Sequence, residues 1–302
     1  MALPIIIDTD PGIDDAAAIS LALCHPNFDV KMISTVNGNV DIEKTTMNAL
    51  KLKAFFESDV PVHSGAERPL LNEINNASHV HGESGMDGYN FPNESLKELT
   101  SHHSVNAMYN ILKNTNEPIT LIALGPLTNI ALLFNSYPES KSLVKEIILM
   151  GGSTGRGNIT PLAEFNIYCD PEAAHVVFNS GIPLTMIGLD LARQALFTHE
   201  FITSFKKMNK TGSMLYNIFQ HYREDDFEVG LKLYDVFTIL YLMDSESYEV
   251  KEANVQIELQ GNLTRGATVV NFKSDSPNCS VVTSTVNDKY EQVFLEMLKK
   301  CK

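Results

Sequence analysis

The stretch IIIDTDPGIDD, residues 5–15, sets Asp8, Asp10, Asp14 and Asp15 within eight positions, directly after three isoleucines. Isoleucines in a row form a buried strand, Pro11 and Gly12 a turn, and Asp14 and Asp15 fall in the first turn of the helix that follows. Taken alone, Asp14 and Asp15 would cap and charge that helix. Asp10 is different, because a carboxylate at the end of a buried strand is costly unless it is paired, hydrogen-bonded or bound to a metal. Four carboxylates this close repel one another, and a helix dipole worth about 0.3–1 kcal/mol per charge does not offset that. The cluster calls for a cation. Hard oxygen ligands with no Cys or His nearby favour calcium or magnesium over zinc, and no Walker-type phosphate loop accompanies them, which leaves calcium as the expected ion.

The elements around this cluster alternate. Apolar runs such as LPIIID, DVKMISTV, ITLIAL, VKEIILMGG and IPLTMIGLD are interleaved with helical patterns such as DDAAAISLALCH, IEKTTMNALKLKAFF and LTNIALLF. Repeated βαβ units with continuously apolar strands predict an α/β fold: a doubly wound, mostly parallel central sheet with helices on both faces. In such a sheet ligands bind outside the carboxyl ends of the strands, where Asp8 and Asp10 lie. Residues 63–103 and 151–170 break the rhythm, and long irregular loops of this kind carry function. Residues 198–243 read as helices, NVQIELQGNLTRGATVVNF as a late hairpin and DKYEQVFLEMLKK as a closing helix. With no repeat, linker or low-complexity tract, residues 1–302 are expected to form a single domain.

Composition narrows the partners. A hydrophobic fraction of 44% and a charged fraction of 20% are those of a soluble globular chain. A net charge of −14, from 23 basic against 37 acidic residues, argues against nucleic acid. No apolar run is long enough for a bilayer, and the N-terminus lacks the features of a signal peptide, so no membrane partner and a cytoplasmic location are expected. Cys24, Cys169, Cys279 and Cys301 are scattered without zinc spacing, and neither a zinc site nor a disulfide framework is expected of them.

DTDPGIDDA, from Asp8, resembles the N-terminal motif of the inosine-uridine preferring nucleoside hydrolases. Further pieces follow in family order: GN at 38 and 39, HGESGMDG from His81, LGPLTNIAL from Leu124, MGG from Met150, GN at 157 and 158, and AEFNIYCDPEAA from Ala163. The likeness spans the chain and is nearest to the ribonucleoside hydrolases of mixed purine and pyrimidine range.

The resemblance implies the nucleoside hydrolase fold and hydrolysis of the N-glycosidic bond of purine or pyrimidine ribonucleosides to base and ribose. It implies Ca2+ held by Asp10, Asp15, the Leu124 carbonyl and Asp235, and ribose hydroxyls gripped by Asp14, Asn39, Asn158, Glu164, Asn166 and Asp235, with Met150 against the sugar. His81 falls at the base-binding end, Asp10 is the carboxylate to deprotonate the attacking water, and relatives of this kind assemble as homodimers or homotetramers. Read individually, Asn39 and Asn158 are turn residues, and Glu164 and Asn166 are solvated loop groups whose spacing puts both side chains on one side of an extended segment.

The sequence departs from the family at one functional position. GLKLYDVFTI has Tyr234 where many relatives carry a histidine thought to protonate the leaving base. A phenol with an ordinary pKa near 10 is a weaker acid, so either Tyr234 takes that role, or nearby His81, Tyr222 or Arg223 does, or bases that leave easily are preferred. Two other classes compete. A haloacid-dehalogenase-like phosphatase also begins with a DxD strand, but here Pro11, Gly12 and Ile13 follow Asp10 and its expected Thr or Val is missing. A binding protein without turnover would make Tyr234 the mark of lost catalysis.

Overall fold

The computed structural model describes residues 2–91, 98–223, 225–287 and 289–302. Among the described residues eleven strands are formed: β1 Leu3–Thr9, β2 Phe28–Thr35, β3 Val62–Ser64, β4 Ile119–Ala123, β5 Val144–Met150, β6 Leu184–Ile187, β7 Phe197–Thr198, β8 Gly230–Leu231, β9 Tyr248–Ile257, β10 Thr268–Asn271 and β11 Cys279–Thr285. Nine of them make one sheet, in the order β10-β9-β11-β6-β5-β4-β1-β2-β3, and β7 and β8 pair separately. From β11 through to β3 every pairing is parallel, and β9 and β10 add antiparallel partners at one edge. The mostly parallel sheet expected from the βαβ rhythm is the one observed.

The isoleucine run shows why β1 is central. Side chains alternate across a strand, so Ile5 and Ile7 join one hydrophobic core and Ile6 the other, all fully buried. The first core is closed by helices Ile13–Cys24, Lys210–Phe219, Val236–Met243 and Lys289–Leu298, and the second by Ser104–Asn114, Thr128–Ser136 and Pro171–Phe178. A strand covered on both faces has no polar side to show. The chain runs outward from β1 to β3, then returns to start again at β4 on the other side of β1. That reversal opens a crevice beyond the carboxyl ends of β1 and β4, where Asp10 and Leu124 lie.

Three local outcomes differ from expectation. The hairpin β9–β10 forms, but β11 was not foreseen: it inserts between β9 and β6, its serines and threonines giving no apolar run to betray a core strand. Cys24 and Cys301, expected to be unpaired, form a disulfide with Cα atoms 4.9 Å apart. Their separation of 277 residues hides the pairing from any local spacing rule. Glu164 and Asn166 do not share an extended segment, because Asn166 lies inside the short helix Phe165–Cys169 and Glu164 is its N-cap.

Among the described residues no helix is long and apolar enough to cross a membrane.

Candidate active site

Three helix starts deliver acidic side chains to the crevice. Helix Ile13–Cys24 is capped by Gly12, with Asp14 and Asp15 in its first turn. Its alanines Ala16, Ala17 and Ala18 are fully buried, so this acidic end sits deep in the molecule. The Asp15 carboxylate accepts the Gly12 N–H at 2.9 Å and the Thr9 hydroxyl at 2.5 Å, which fixes it against the end of β1. Glu164 caps the helix Phe165–Cys169, accepting the N–H groups of Asn166 (2.9 Å) and Ile167 (3.1 Å) and, from the neighbouring loop, of Gly152 (2.9 Å). Asp235 precedes helix Val236–Met243 without capping it, which leaves its carboxylate for the site.

Asp14, Asp15 and Asp235 each bring an oxygen within 4.8 Å of the others. Asp10 lies beside them, fully buried, with one oxygen accepting the Asn39 N–H at 2.7 Å and the other buried without a partner. The chain is cut away to admit this carboxylate: a side-chain carbon at Gly38 would fall 1.9 Å from Asp10 Oδ2, and one at Gly125 2.4 Å from Oδ1. Asp8 does not join the group, since its Oδ1 accepts Ser34 Oγ (2.5 Å) and Asn129 Nδ2 (2.8 Å) on the side of β2.

Burial is what most strongly raises the pKa of Asp10, Asp15 and Asp235, and the negative charge of the neighbouring aspartates raises those of Asp10 and Asp235 further. Among the described residues no Lys or Arg forms an ion pair with any of the three. Buried carboxylates without a protein cation, one with an orphaned oxygen, fit a divalent ion with oxygen ligands. The triple whose oxygens lie within 4.8 Å of one another includes Asp14 where the sequence reading placed Asp10, while Asp15 and Asp235 are common to both. The Leu124 carbonyl, the fourth expected ligand, accepts the Asn166 side-chain amide at 2.7 Å. That amide also reaches the Met150 carbonyl at 3.1 Å, so Asn166 ties the ends of β4 and β5 to the helix Glu164 caps.

Above this floor lies a cavity of about 270 Å3, lined by Asp14, Asn39, Leu124, Met150, Asn158, Glu164, Asn166 and Asp235 and also by His81, Tyr222, Arg223 and Tyr234. Every expected site residue therefore borders one cavity or, for Asp10 and Asp15, lies in the aspartate cluster at its floor. Asn39 joins the two, donating from its side chain to Asp15 Oδ2 at 3.0 Å and to the Asp10 carbonyl at 3.2 Å. The walls contributed by Ala77, His79, Val80, Ile159 and Phe165 were not anticipated. Apolar and loop residues of that kind carry no signal in sequence; only their neighbourhood to His81, Asn158 and Glu164 could have pointed to them.

His81 is placed by a long-range bond. Its Nδ1 accepts the backbone N–H of Ile13 at 3.2 Å, and the edge of its ring meets Tyr222 with centroids 5.5 Å apart. Burial, aided by the charge of His79, lowers its pKa to about 3. Asp14 Oδ1, 4.0 Å from Nδ1, pulls the other way, but protonating Nδ1 would forfeit the Ile13 bond. The neutral ring then carries its proton on Nε2.

Comparisons with known proteins agree with this geometry. The sequence profile of the family described as inosine-uridine preferring nucleoside hydrolase matches residues 5–292. A curated relative, the non-specific ribonucleoside hydrolase RihC of Salmonella newport, is 47% identical over 299 residues, spanning 98% of this chain and 97% of its own. Among solved structures, the inosine-guanosine nucleoside hydrolase IG-NH superposes with a TM-score of 0.91 at 29% identity, covering 98% of both chains. The purine-preferring ribonucleoside hydrolase from Gardnerella vaginalis gives 0.90 at 27% identity, again over 98% of both. This chain belongs to the inosine-uridine preferring nucleoside hydrolase family.

Proposed function

We propose that the protein hydrolyses the N-glycosidic bond of purine and pyrimidine ribonucleosides to free base and ribose, with Ca2+ as its metal. The observation that carries this reading is the make-up of one cavity: four buried aspartates gather at and beneath its floor, and His81, Tyr222 and Tyr234 line it as well. Breaking an N-glycoside develops positive charge on the ribose and negative charge on the departing base; the aspartates stabilise the first, and the histidine and tyrosines supply hydrogen-bond donors for the second.

Asp10, Asp15, Asp235 and the Leu124 carbonyl would hold the ion, with Asp14 at hand in the same group. When bound, calcium compensates the carboxylates and makes a nearby water more acidic. The chain's own groups do the rest. Asp10, whose orphaned oxygen is the least engaged in the cluster, accepts the proton of the attacking water. Asp14, Asn39, Asn158, Glu164, Asn166 and Asp235 bind the ribose hydroxyls, and Met150 packs against the sugar. Water oxygen bonds to the anomeric carbon as the carbon–nitrogen bond breaks, in one displacement without a covalent intermediate. The electron pair leaves with the base.

At the base end His81 offers its Nε2–H as a neutral donor, in the manner of an electrophilic imidazole held at a helix N-terminus. Tyr234, 6% exposed, takes the position of the missing histidine and supplies the proton to the base. A cytoplasmic homodimer or homotetramer acting on small ribonucleosides completes the proposal, on the strength of the family resemblance.

Ribose release from inosine, uridine, cytidine and adenosine, with and without a chelator, tests it. Turnover that disappears with chelation and returns with calcium supports the reading. Phosphate release from nucleotides in its place, or binding without turnover, overturns it.

A further inference from the structure

Asn48 lies in the middle of helix Ile42–Phe56, fully buried, and both hydrogens of its side-chain amide are directed outside that helix. Nδ2 donates to the Pro11 carbonyl at 2.9 Å and to the Ser84 carbonyl at 2.7 Å, while Oδ1 accepts Lys51 Nζ at 3.3 Å. One amide thus joins the turn that follows Asp10 to the loop that follows His81. A leucine would fill the same space, but it would leave two backbone carbonyls without a donor.

The Pro11–Gly12 peptide is held at both ends. Its oxygen accepts from Asn48, and its N–H donates to Asp15 Oδ2 at 2.9 Å. His81 rests against the same peptide: a side-chain carbon at Gly12 would fall 2.6 Å from His81 Nδ1, which accepts the next backbone N–H, that of Ile13, at 3.2 Å. On the loop side the approach is equally close, since a side-chain carbon at Gly85 would fall 2.9 Å from Asn48 Nδ2. The Gly85 N–H donates to the Gly82 carbonyl at 3.3 Å, so the anchor at Ser84 also fixes the residue next to His81.

Building on the ribonucleoside hydrolase reading above, we propose that Asn48 is a positioning residue for the reaction, keeping His81 on the Ile13 N–H and in the tautomer that donates from Nε2. Asn48 does not itself line the catalytic cavity. Without its two donations the Pro11 and Ser84 carbonyls must find other partners, the loop and the turn draw apart, and the ring loses its seat. A misplacement of about 1 Å costs a reaction about 10²-fold. Because His81 acts on the departing base, the loss falls on kcat.

The test is a double-mutant cycle of Asn48→Leu with His81→Ala, assayed on inosine and uridine well below the melting temperature of each variant. Alone, N48L is expected to lower kcat by about 10–10²-fold, with KM changed by less than about threefold. In the His81→Ala background the same substitution costs less than about threefold. Proton–nitrogen correlation spectra of the imidazole rings read the same claim without turnover: His81 shows only the Nε2–H tautomer in the wild type and a mixture in N48L. An equal loss in both backgrounds, an unaltered kcat in N48L, or the Nε2–H tautomer kept pure in N48L would overturn the assignment and leave the hydrolase reading intact. Should N48L not fold, Asn48→Asp, of the same shape but without the amide donors, goes through the same cycle and spectra. Wild-type protein that hydrolyses neither nucleoside would overturn the hydrolase reading, and the spectra alone then decide whether Asn48 orients His81.

Discussion

The backbone N–H of Ile13 donates to Nδ1 of His81, at 3.2 Å and across 68 residues of sequence. One end of the helix that presents Asp14 and Asp15 thereby fixes the tautomer of a histidine that lines the same cavity. The bond also holds the ring neutral, with a consequence for stability. A histidine whose folded pKa is lowered to about 3 binds no proton in the fold where the unfolded chain, near 6.5, does. Its contribution to stability is complete above pH 6.5 and is lost as pH falls from there toward 3. Chemical denaturation of the wild type between pH 7 and 4 should show this slope, at most about 1.4 kcal/mol per pH unit from this group. His81→Gln should flatten it, and an equal slope in the variant would refute the assignment.

Asp10 should trade stability for function. Burial and the charge of Asp15 disfavour its carboxylate when no cation is present. Asp10→Asn is expected to stabilise the chelator-treated protein by about 1–2 kcal/mol, because it removes an uncompensated buried charge. Calcium at a hundred times its dissociation constant should stabilise the wild type by about 2.7 kcal/mol, and D10N by much less. Activity of D10N should fall by about 10²–10⁴-fold. Thermal melts with and without calcium, beside a ribose assay, separate these effects.

The sugar grip predicts discrimination at the 2′ position. Removing that hydroxyl leaves buried carboxylates such as Asp14, only 4% exposed, with an unsatisfied partner. Uridine should exceed 2′-deoxyuridine in kcat/KM by about 10²-fold or more. Equal turnover of the two would show that Asp14 and its neighbours do not hold the ribose.

Tyr234 can be examined through the leaving group. Tyr234→Phe should lower kcat on inosine and uridine by about 10²-fold, as expected for loss of a general acid. On p-nitrophenyl riboside, whose nitrophenolate leaves without a proton, the same variant should lose far less. A similar loss on both would make Tyr234 a packing residue of the cavity wall.

Glu164 serves the helix as well as the site. Its carboxylate accepts three backbone N–H groups, from Gly152, Asn166 and Ile167. Glu164→Ala should destabilise the protein by about 1–2 kcal/mol through the lost cap, and Glu164→Gln, which keeps an acceptor, by less. Equal melting temperatures for the two variants would mean that the cap contributes little.

The sequence by itself determined the parallel α/β core and the acidic crevice. Both are written in local pattern: Ile5, Ile6 and Ile7 are apolar on both faces because β1 is covered on both, and DPGIDD is a strand end, a turn and a helix start within a few residues. Whatever depends on contacts between distant segments was decided only by the tertiary structure. Asp8 and Asp10 read alike in the motif, yet Ser34 and Asn129 draw Asp8 away and leave Asp10 at the cluster. Strand β11 becomes legible once β9 and β6 are in place to receive it, and the Cys24–Cys301 disulfide once the closing helix packs on the core. His81 acquires its place from a side-chain bond to the backbone of Ile13, 68 residues away. Periodicity records which face of an element is buried; it carries no information on which remote partner buries it.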